Sequence, residues 1–284
     1  MGKLNYMEGN MNLSVNELKQ QADQIRQDIV KMVHAAGSGH PGGSLSAADL
    51  MTVLYFDKMN IDPSESDMAT RDRFVLSKGH AAPVLYATLA RRGFFDPNEL
   101  VQLRKMGHML QGHPNMNYIP GVDMSTGSLG QGFSASVGMA LAAKLDEAVF
   151  RTYALLGDGE LNEGLVWEAA MSAAHYNLDN LCAIVDYNGL QIDGKNEEVM
   201  GVSPVDAKFE AFGWHVIHVD GHDFEAISKA YDEAKNTKGK PSVIIAKTVK
   251  GKGVSFMEDQ ASWHGTAPNA EQTEQAIAEL GGAK

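Results

Sequence analysis

The feature that most constrains this chain is a repeated change of period, from short apolar runs to amphipathic stretches and back. Apolar runs at 153–156, 181–185, 214–219 and 242–248 have strand length, and residues 163–176 and 224–235 between them carry helical spacing. Strands separated by helices are not hairpins. Each helical crossover returns the chain to the same sheet, which gives parallel pairing with helices on both faces. The predicted class is therefore α/β, a mostly parallel sheet flanked by helices. The first half fits this plan. Residues 13–36 read as an amphipathic helix with Ser14 as N-cap, Glu17 three residues later, and Leu18, Ala22, Ile25, Ile29, Met32 and Val33 on one side. That helix is expected to stop at the small-residue cluster 37–43. A second helix follows over 46–58, then a strand at 74–77 and helices over 82–92 and 131–147, while residues 106–126 read as loop. One domain over 1–284, with a polar tail from about 268, accounts for the pattern without repeats or linkers.

Two strands end in turns with unusual chemistry. One runs into Gly157-Asp158-Gly159 and the next into Asp186-Tyr187-Asn188-Gly189. About thirty residues separate Asp158 from Asn188, the size of a strand–helix–strand unit. If those strands are parallel neighbours, both turns lie at the carboxyl edge of the sheet, where open α/β folds bind ligands. A carboxylate, an amide oxygen and a main-chain carbonyl are hard donors that suit Mg²⁺ or Ca²⁺ completed by phosphate oxygens. Glycines beside Asp158 let a phosphate approach backbone N–H groups.

Charge and composition exclude several functions. A net charge of −12 argues against general nucleic-acid binding, which needs clustered Lys and Arg. No run approaches the roughly 20 apolar residues of a membrane helix. Residues 1–12 are polar and unlike a signal peptide, so the cytoplasm is the expected compartment. Cys182 is the only cysteine and sits in an apolar run, as a small core residue would. His215, His218 and His222 have a zinc-like spacing, but strand alternation places 215 and 218 on opposite faces, so they and His34 and His175 read as structural. Gly127, Gly130 and Gly132 do not make a dinucleotide fingerprint, and no clear strand precedes them.

The strings Gly157-Asp158-Gly159-Glu160-Leu161-Asn162-Glu163-Gly164, Trp167-Glu168-Ala169-Ala170 and Asp186-Tyr187-Asn188-Gly189-Leu190-Gln191-Ile192-Asp193-Gly194 resemble the thiamine diphosphate motif of transketolases. Tyr187 stands where many relatives carry a second asparagine, while the metal-binding position is kept. Ser38-Gly39-His40-Pro41-Gly42, Lys78-Gly79-His80-Ala81, Gly112-His113-Pro114, Thr126-Gly127-Ser128-Leu129-Gly130-Gln131-Gly132 and Trp263-His264-Gly265 resemble further family loops, so the likeness runs from about 38 to 266. It implies the diphosphate-binding (PP-domain) fold, with thiamine diphosphate and Mg²⁺ (or Ca²⁺) as cofactors. By resemblance the metal ligands are Asp158, Asn188 and the Leu190 carbonyl. His80 and His264 would contact the diphosphate with Gly159, and Gly127, Ser128 and Leu129 the thiazolium or aminopyrimidine. His40, His113 and His264 would serve the substrate, and Glu163, with Glu168, would stand at the contact between cofactors. Imidazole suits both tasks, since it donates hydrogen bonds to anions and moves protons near neutral pH.

In this family the diphosphate and the aminopyrimidine are held by different domains. The resemblance therefore implies a separate partner, a transketolase C-terminal subunit carrying the pyrimidine-binding domain, in an α2β2 heterotetramer. Sugar phosphates of the pentose phosphate pathway would exchange a two-carbon ketol unit. Two other readings stay open on sequence: a subunit of a deoxyxylulose-phosphate-synthase-like enzyme, and a non-catalytic cofactor-binding subunit.

Overall fold

Five strands, β1 (Arg73–Leu76), β2 (Thr152–Gly157), β3 (Leu181–Tyr187), β4 (His215–Asp220) and β5 (Ser242–Lys247), form one sheet in a computed structural model that describes residues 13–282. Their order is β1-β2-β3-β5-β4, and every neighbouring pair is parallel. Alternate strand residues enter different cores. Tyr153, Leu155, Cys182, Ile184, Ile244 and Ala246 face one apolar cluster. Ala154, Leu156, Ala183, Val185, Val243 and Ile245 face the other. Both faces are buried, which is why these strands read as continuous apolar runs.

Helices α1 (Val15–Ala36), α2 (Pro41–Ser46), α3 (Ala48–Val53) and α4 (Ala82–Arg92) lie on the first face. The second is covered by α5 (Gln131–Leu145), α6 (Gly164–His175) and, beyond the short α7 (Asn196–Val199), α8 (Val205–Ala211). Helix α9 (Phe224–Asn236) returns to the first face and α10 (Ala270–Glu279) closes on α1. The α1 N-terminus carries the expected capping box between Ser14 and Glu17, and its six predicted core residues are buried.

The cluster 37–43 is only partly a break. Gly37, with φ 62°, ends α1, but α2 begins at Pro41 inside the cluster. Proline is preorganised for the first helical position and has no N–H left to satisfy there. The helix expected over 46–58 is accordingly α2, α3 and a π-helical turn at Leu54–Lys58. Residues 1–12, read as a polar opening, lie outside the described residues.

The polar stretch after Pro268 carries α10, whose Asn269 cap forms a second capping box with Gln272. Ala276 and Leu280 are buried on α1, and the Gln27 amide donates to the Leu280 carbonyl at 3.0 Å. Removing residues 269–284 forfeits about 2–3 kcal/mol of apolar burial. The expected fall in thermal midpoint, followed by circular dichroism, is roughly 4–10 °C.

Candidate functional site

The two turns singled out in the sequence meet at the carboxyl edge of the sheet. Gly157 pairs beside Asp186 in the β2–β3 register, so the residues that follow leave the sheet side by side. Asp158 is 2% exposed, and its oxygens accept from the Gly159 N–H at 2.8 Å and the Gly189 N–H at 2.5 Å. Asn188 folds over the same turn. Its Oδ1 accepts the Leu190 N–H at 3.1 Å and its Nδ2 donates to Asp186 at 3.4 Å. Asp158, Asn188 and Leu190 therefore line one cleft of about 310 Å³. Burial first, and the Asp186 charge second, push the Asp158 carboxyl up to about 6.

Three imidazoles from distant parts of the chain converge on this cleft. The ring centroids of His40 and His80 are 5.3 Å apart, those of His40 and His264 5.3 Å, and those of His80 and His264 5.1 Å. His40 precedes α2, His80 sits in the turn after β1, and His264 follows the turn Ala261–Trp263. Burial is the main reason that all three resist protonation. It lowers His40 to about 4, with Arg104 and His113 adding to the effect, and His264 to about 3, with Lys250 adding. His80 is held well below its ordinary value by burial and then by Lys78. His113 stands apart from this triangle, with its ring 3.2 Å from where a Cβ on Gly127 would lie, and it too is lowered by burial and Arg104.

The glycine loop at 126–130 forms another wall. Gly127 and Leu129 line the cleft. It approaches so closely that a Cβ on Gly79 would sit 2.7 Å from Thr126 Oγ1 and 2.8 Å from the Gly127 nitrogen, so only glycine fits at 79. Ser128 is exposed, and its carbonyl accepts the Gln131 N–H at 3.3 Å. Glu163 is exposed just outside, at the N-cap of α6, with its Cβ against Gly130. Gly159 lines the cleft beside Gln191.

Three charged residues that sequence reading passed over shape this site. Lys250 is 2% exposed, and its Nζ lies 3.2 Å from the Leu190 carbonyl and 3.0 Å from His264 Nδ1. Burial lowers its ammonium to about 8 against the opposing charge of Asp158. Lys78 donates to Asp186 in a short buried ion pair and to the Gly43 carbonyl at 2.9 Å. Glu160 is fully enclosed. It accepts from Ser77 Oγ, from the Gly130 N–H at 2.8 Å and from the Gly157 N–H at 3.1 Å, tying the glycine loop to β1 and β2. The available signal for Lys250 was its place in a glycine-rich turn directly after an apolar strand, the same context as Asp158 and Asn188.

The donor set suits a diphosphate held through a divalent cation. Asp158 accepts only backbone N–H groups, His40 Nδ1 is buried in the cleft wall without a hydrogen-bond partner, and Thr126 Oγ1 is likewise unpartnered nearby. Cationic Lys78 and Lys250 flank the carboxylate. A wider groove of about 930 Å³ over the ends of β4 and β5 lacks such convergence, and His218 at its rim pairs with Asp206 at 3.7 Å. Three further histidines have their partners outside this cleft: His215 with Glu233, His222 with Asp49 and His34 with the Pro268 carbonyl. Among the described residues no group of three His, Cys, Asp or Glu could hold a metal by itself.

Comparison with known proteins decides the family. Residues 18–283 match the model for the transketolase thiamine diphosphate binding domain. The chain belongs to the transketolase family. It is 47% identical over 264 residues to the 6-deoxy-6-sulfo-D-fructose transketolase subunit of Clostridium sp. (strain MSTE9), covering 93% of this chain and 96% of that one. It is 44% identical over 268 residues to an apulose-4-phosphate transketolase subunit of Phocaeicola vulgatus, covering 94% and 95%. Human transketolase is 46% identical over 270 residues, but this chain spans only 42% of its length. The crystal structure of Campylobacter jejuni transketolase superposes with a TM-score of 0.90 at 35% identity, over 95% of this chain and 43% of that one. The transketolase fold thus accounts for the parallel sheet, and thiamine diphosphate is the cofactor of the matched domain.

Proposed function

We propose that this chain is the N-terminal subunit of a split transketolase, moving a two-carbon ketol unit from a ketose phosphate to an aldose phosphate. The observation that carries the reading is the 2.5 Å contact between Asp158 and the Gly189 N–H, which brings the aspartate and asparagine turns to one place. Asp158, Asn188 and the Leu190 carbonyl would hold Mg²⁺ or Ca²⁺. His80, His264, Lys250 and the Gly159 backbone would hold the diphosphate, with Gly127, Ser128 and Leu129 along the rings. Bound thiamine diphosphate supplies the carbon nucleophile and the electron sink of the reaction.

The chain's own side chains then bind, orient and move protons. His40 and His113 would hydrogen-bond the hydroxyls and reacting oxygen of the sugar, and His264 would serve both sugar and diphosphate. Low proton affinity suits this task, because a neutral imidazole offers one donor and one acceptor, and sugar hydroxyls need both. Glu163 stands exposed at the mouth, available to a partner. The relatives named as subunits support a partner chain bearing the pyrimidine-binding domain. An α2β2 assembly, sugar-phosphate substrates and a cytoplasmic site of action complete the proposal, the last in keeping with a single buried thiol.

Reconstitution tests the reading. With a pyrimidine-domain partner, thiamine diphosphate and Mg²⁺, xylulose 5-phosphate and ribose 5-phosphate should yield sedoheptulose 7-phosphate, while this chain alone should yield none. Full ketol transfer without a partner would overturn the split arrangement. Absence of the product from the assembled pair would overturn the substrate assignment.

A further inference from the structure

A second polar chain runs through the core behind the cleft. Arg26 of α1 donates to Asp49 Oδ2 of α3 at 2.7 Å, and His222 Nδ1 lies 2.7 Å from the same oxygen. The other ring nitrogen, Nε2, is 2.9 Å from the Val249 nitrogen. A backbone N–H can only donate, so Nε2 is the bare nitrogen and the proton sits on Nδ1, directed at Asp49. The contacts therefore fix one tautomer. Arg26 is 5% and Asp49 2% exposed, and the His222 side chain 15%. Burial opposes the Asp49 charge, but Arg26 and His222 outweigh it and hold the carboxyl below its ordinary range.

The end of this chain is next to Lys250. Three consecutive residues after β5 are each held from a different side. Thr248 Oγ1 donates to Asp186, the Val249 N–H to His222, and Lys250 Nζ to the Leu190 carbonyl. The turn that bears His222 lies flush on this segment. The Gly221 N–H donates to the Lys247 carbonyl at 2.8 Å, and a Cβ on Gly221 would fall 2.4 Å from Thr248 Cγ2. His222 thus anchors the amide of Val249, and the direction of the backbone there sets where the next side chain enters the cleft.

We propose that His222 is a positioning residue for Lys250: held by Asp49 in a single tautomer, it accepts the Val249 N–H and so aims the neighbouring ammonium at the cofactor diphosphate. This rests on the reading of Lys250 as a diphosphate ligand. A merely structural role for His222 would show as lost stability of the empty chain, whereas positioning shows as lost affinity that vanishes once Lys250 is gone.

The test uses the full chain with Mg²⁺ and thiamine diphosphate as the probe, measured by calorimetry, beside the thermal midpoint without either. His222→Asn keeps an amide N–H for Asp49 but cannot reach Val249, and should weaken binding about tenfold. His222→Gln, whose longer amide places an oxygen near the lost Nε2, should return affinity to within about threefold of the parent. Lys250→Met should itself weaken binding, and adding His222→Asn to it should cost nothing more. Additive losses in the double variant, or a glutamine no better than asparagine, would overturn the proposal. Unchanged affinity in Lys250→Met would remove Lys250 from the cofactor site and the proposal with it. A loss in Lys250→Met with none in His222→Asn would remove the proposal alone. Imidazole ¹⁵N spectra of the cofactor-free chain give an independent check, expected to show His222 protonated on Nδ1, and the opposite tautomer would refute it.

Discussion

Asp158→Ala should abolish metal-dependent thiamine diphosphate binding and lower ketol transfer by the reconstituted enzyme roughly a thousandfold or more. The carboxylate is the only anionic donor in the proposed metal set, and it also accepts the N–H groups of Gly159 and Gly189. Alanine removes the charge and leaves two donors without acceptors, so the turns at 158 and 189 lose their link. Asp158→Asn separates these effects, because it keeps an acceptor but not the charge. Calorimetry with Mg²⁺ should give no measurable cofactor binding for the alanine variant, and tight binding there would sink the metal assignment. Acid supplies a second test. Metal ligation needs the deprotonated carboxylate, and Asp158 is raised to about 6, so cofactor affinity should fall as pH drops through that value. The empty chain should respond with the opposite sign. A carboxyl that holds its proton more tightly when folded contributes stability below its ordinary value of 3.8 and loses that contribution as pH rises through about 6. Thermal midpoints of the cofactor-free protein across this window, compared with those of Asp158→Asn, isolate the effect.

Lys78→Met should be the most damaging single change to the fold near the site, costing about 3–5 kcal/mol. Lys78 is 2% and Asp186 0% exposed as side chains, so removing the ammonium strands a buried carboxylate at the carboxyl end of β3. Asp186 also accepts from Ser46 Oγ at 2.5 Å and from Thr248 Oγ1, and it holds the Asn188 amide. Burial alone would raise its proton affinity, but the Lys78 charge and these donors keep it below the ordinary carboxylate range. Chemical denaturation of Lys78→Met against Lys78→Met/Asp186→Asn decides the matter. Neutralising both should recover much of the loss, because the penalty comes from the unpaired charge and not from the missing contact. Equal destabilisation of the single and double variants would show that packing of the lysine stem is what counts.

The site residues differ in how far the sequence exposes them, and the reason is physical. Asp158 and Asn188 announce themselves because each follows an apolar strand and sits beside glycine, and parallel pairing then leaves one edge for both. His40, His80 and His264 stand out only through family resemblance. Their meeting depends on how α2, the β1 turn and the segment after β5 pack together, which no local period encodes. Lys78 and Glu160 are hidden for a stronger reason: a charged residue in a sequence reads as solvated surface. Here both are buried because their partners, Asp186 for Lys78 and Ser77 for Glu160, arrive from tens of residues away. The start of α2 at Pro41 was obscured likewise, since two glycines of poor helical propensity follow the proline and only tertiary packing overrides them. Strand positions and the long helices were legible throughout, because burial on both faces imposes a pattern that survives without knowledge of the neighbours.

The crowding of His40, His80 and His264 changes how kinetic data on this enzyme are to be read. A limb near pH 6 in kcat/KM is the ordinary signature of histidine, yet in the cofactor-free chain burial keeps these rings uncharged well into acid, and the group raised to about 6 is Asp158, the proposed metal ligand. Loss of turnover on mild acidification would therefore report a departing cation, and raising the Mg²⁺ concentration should slide that limb to lower pH where exchanging any of the imidazoles should not.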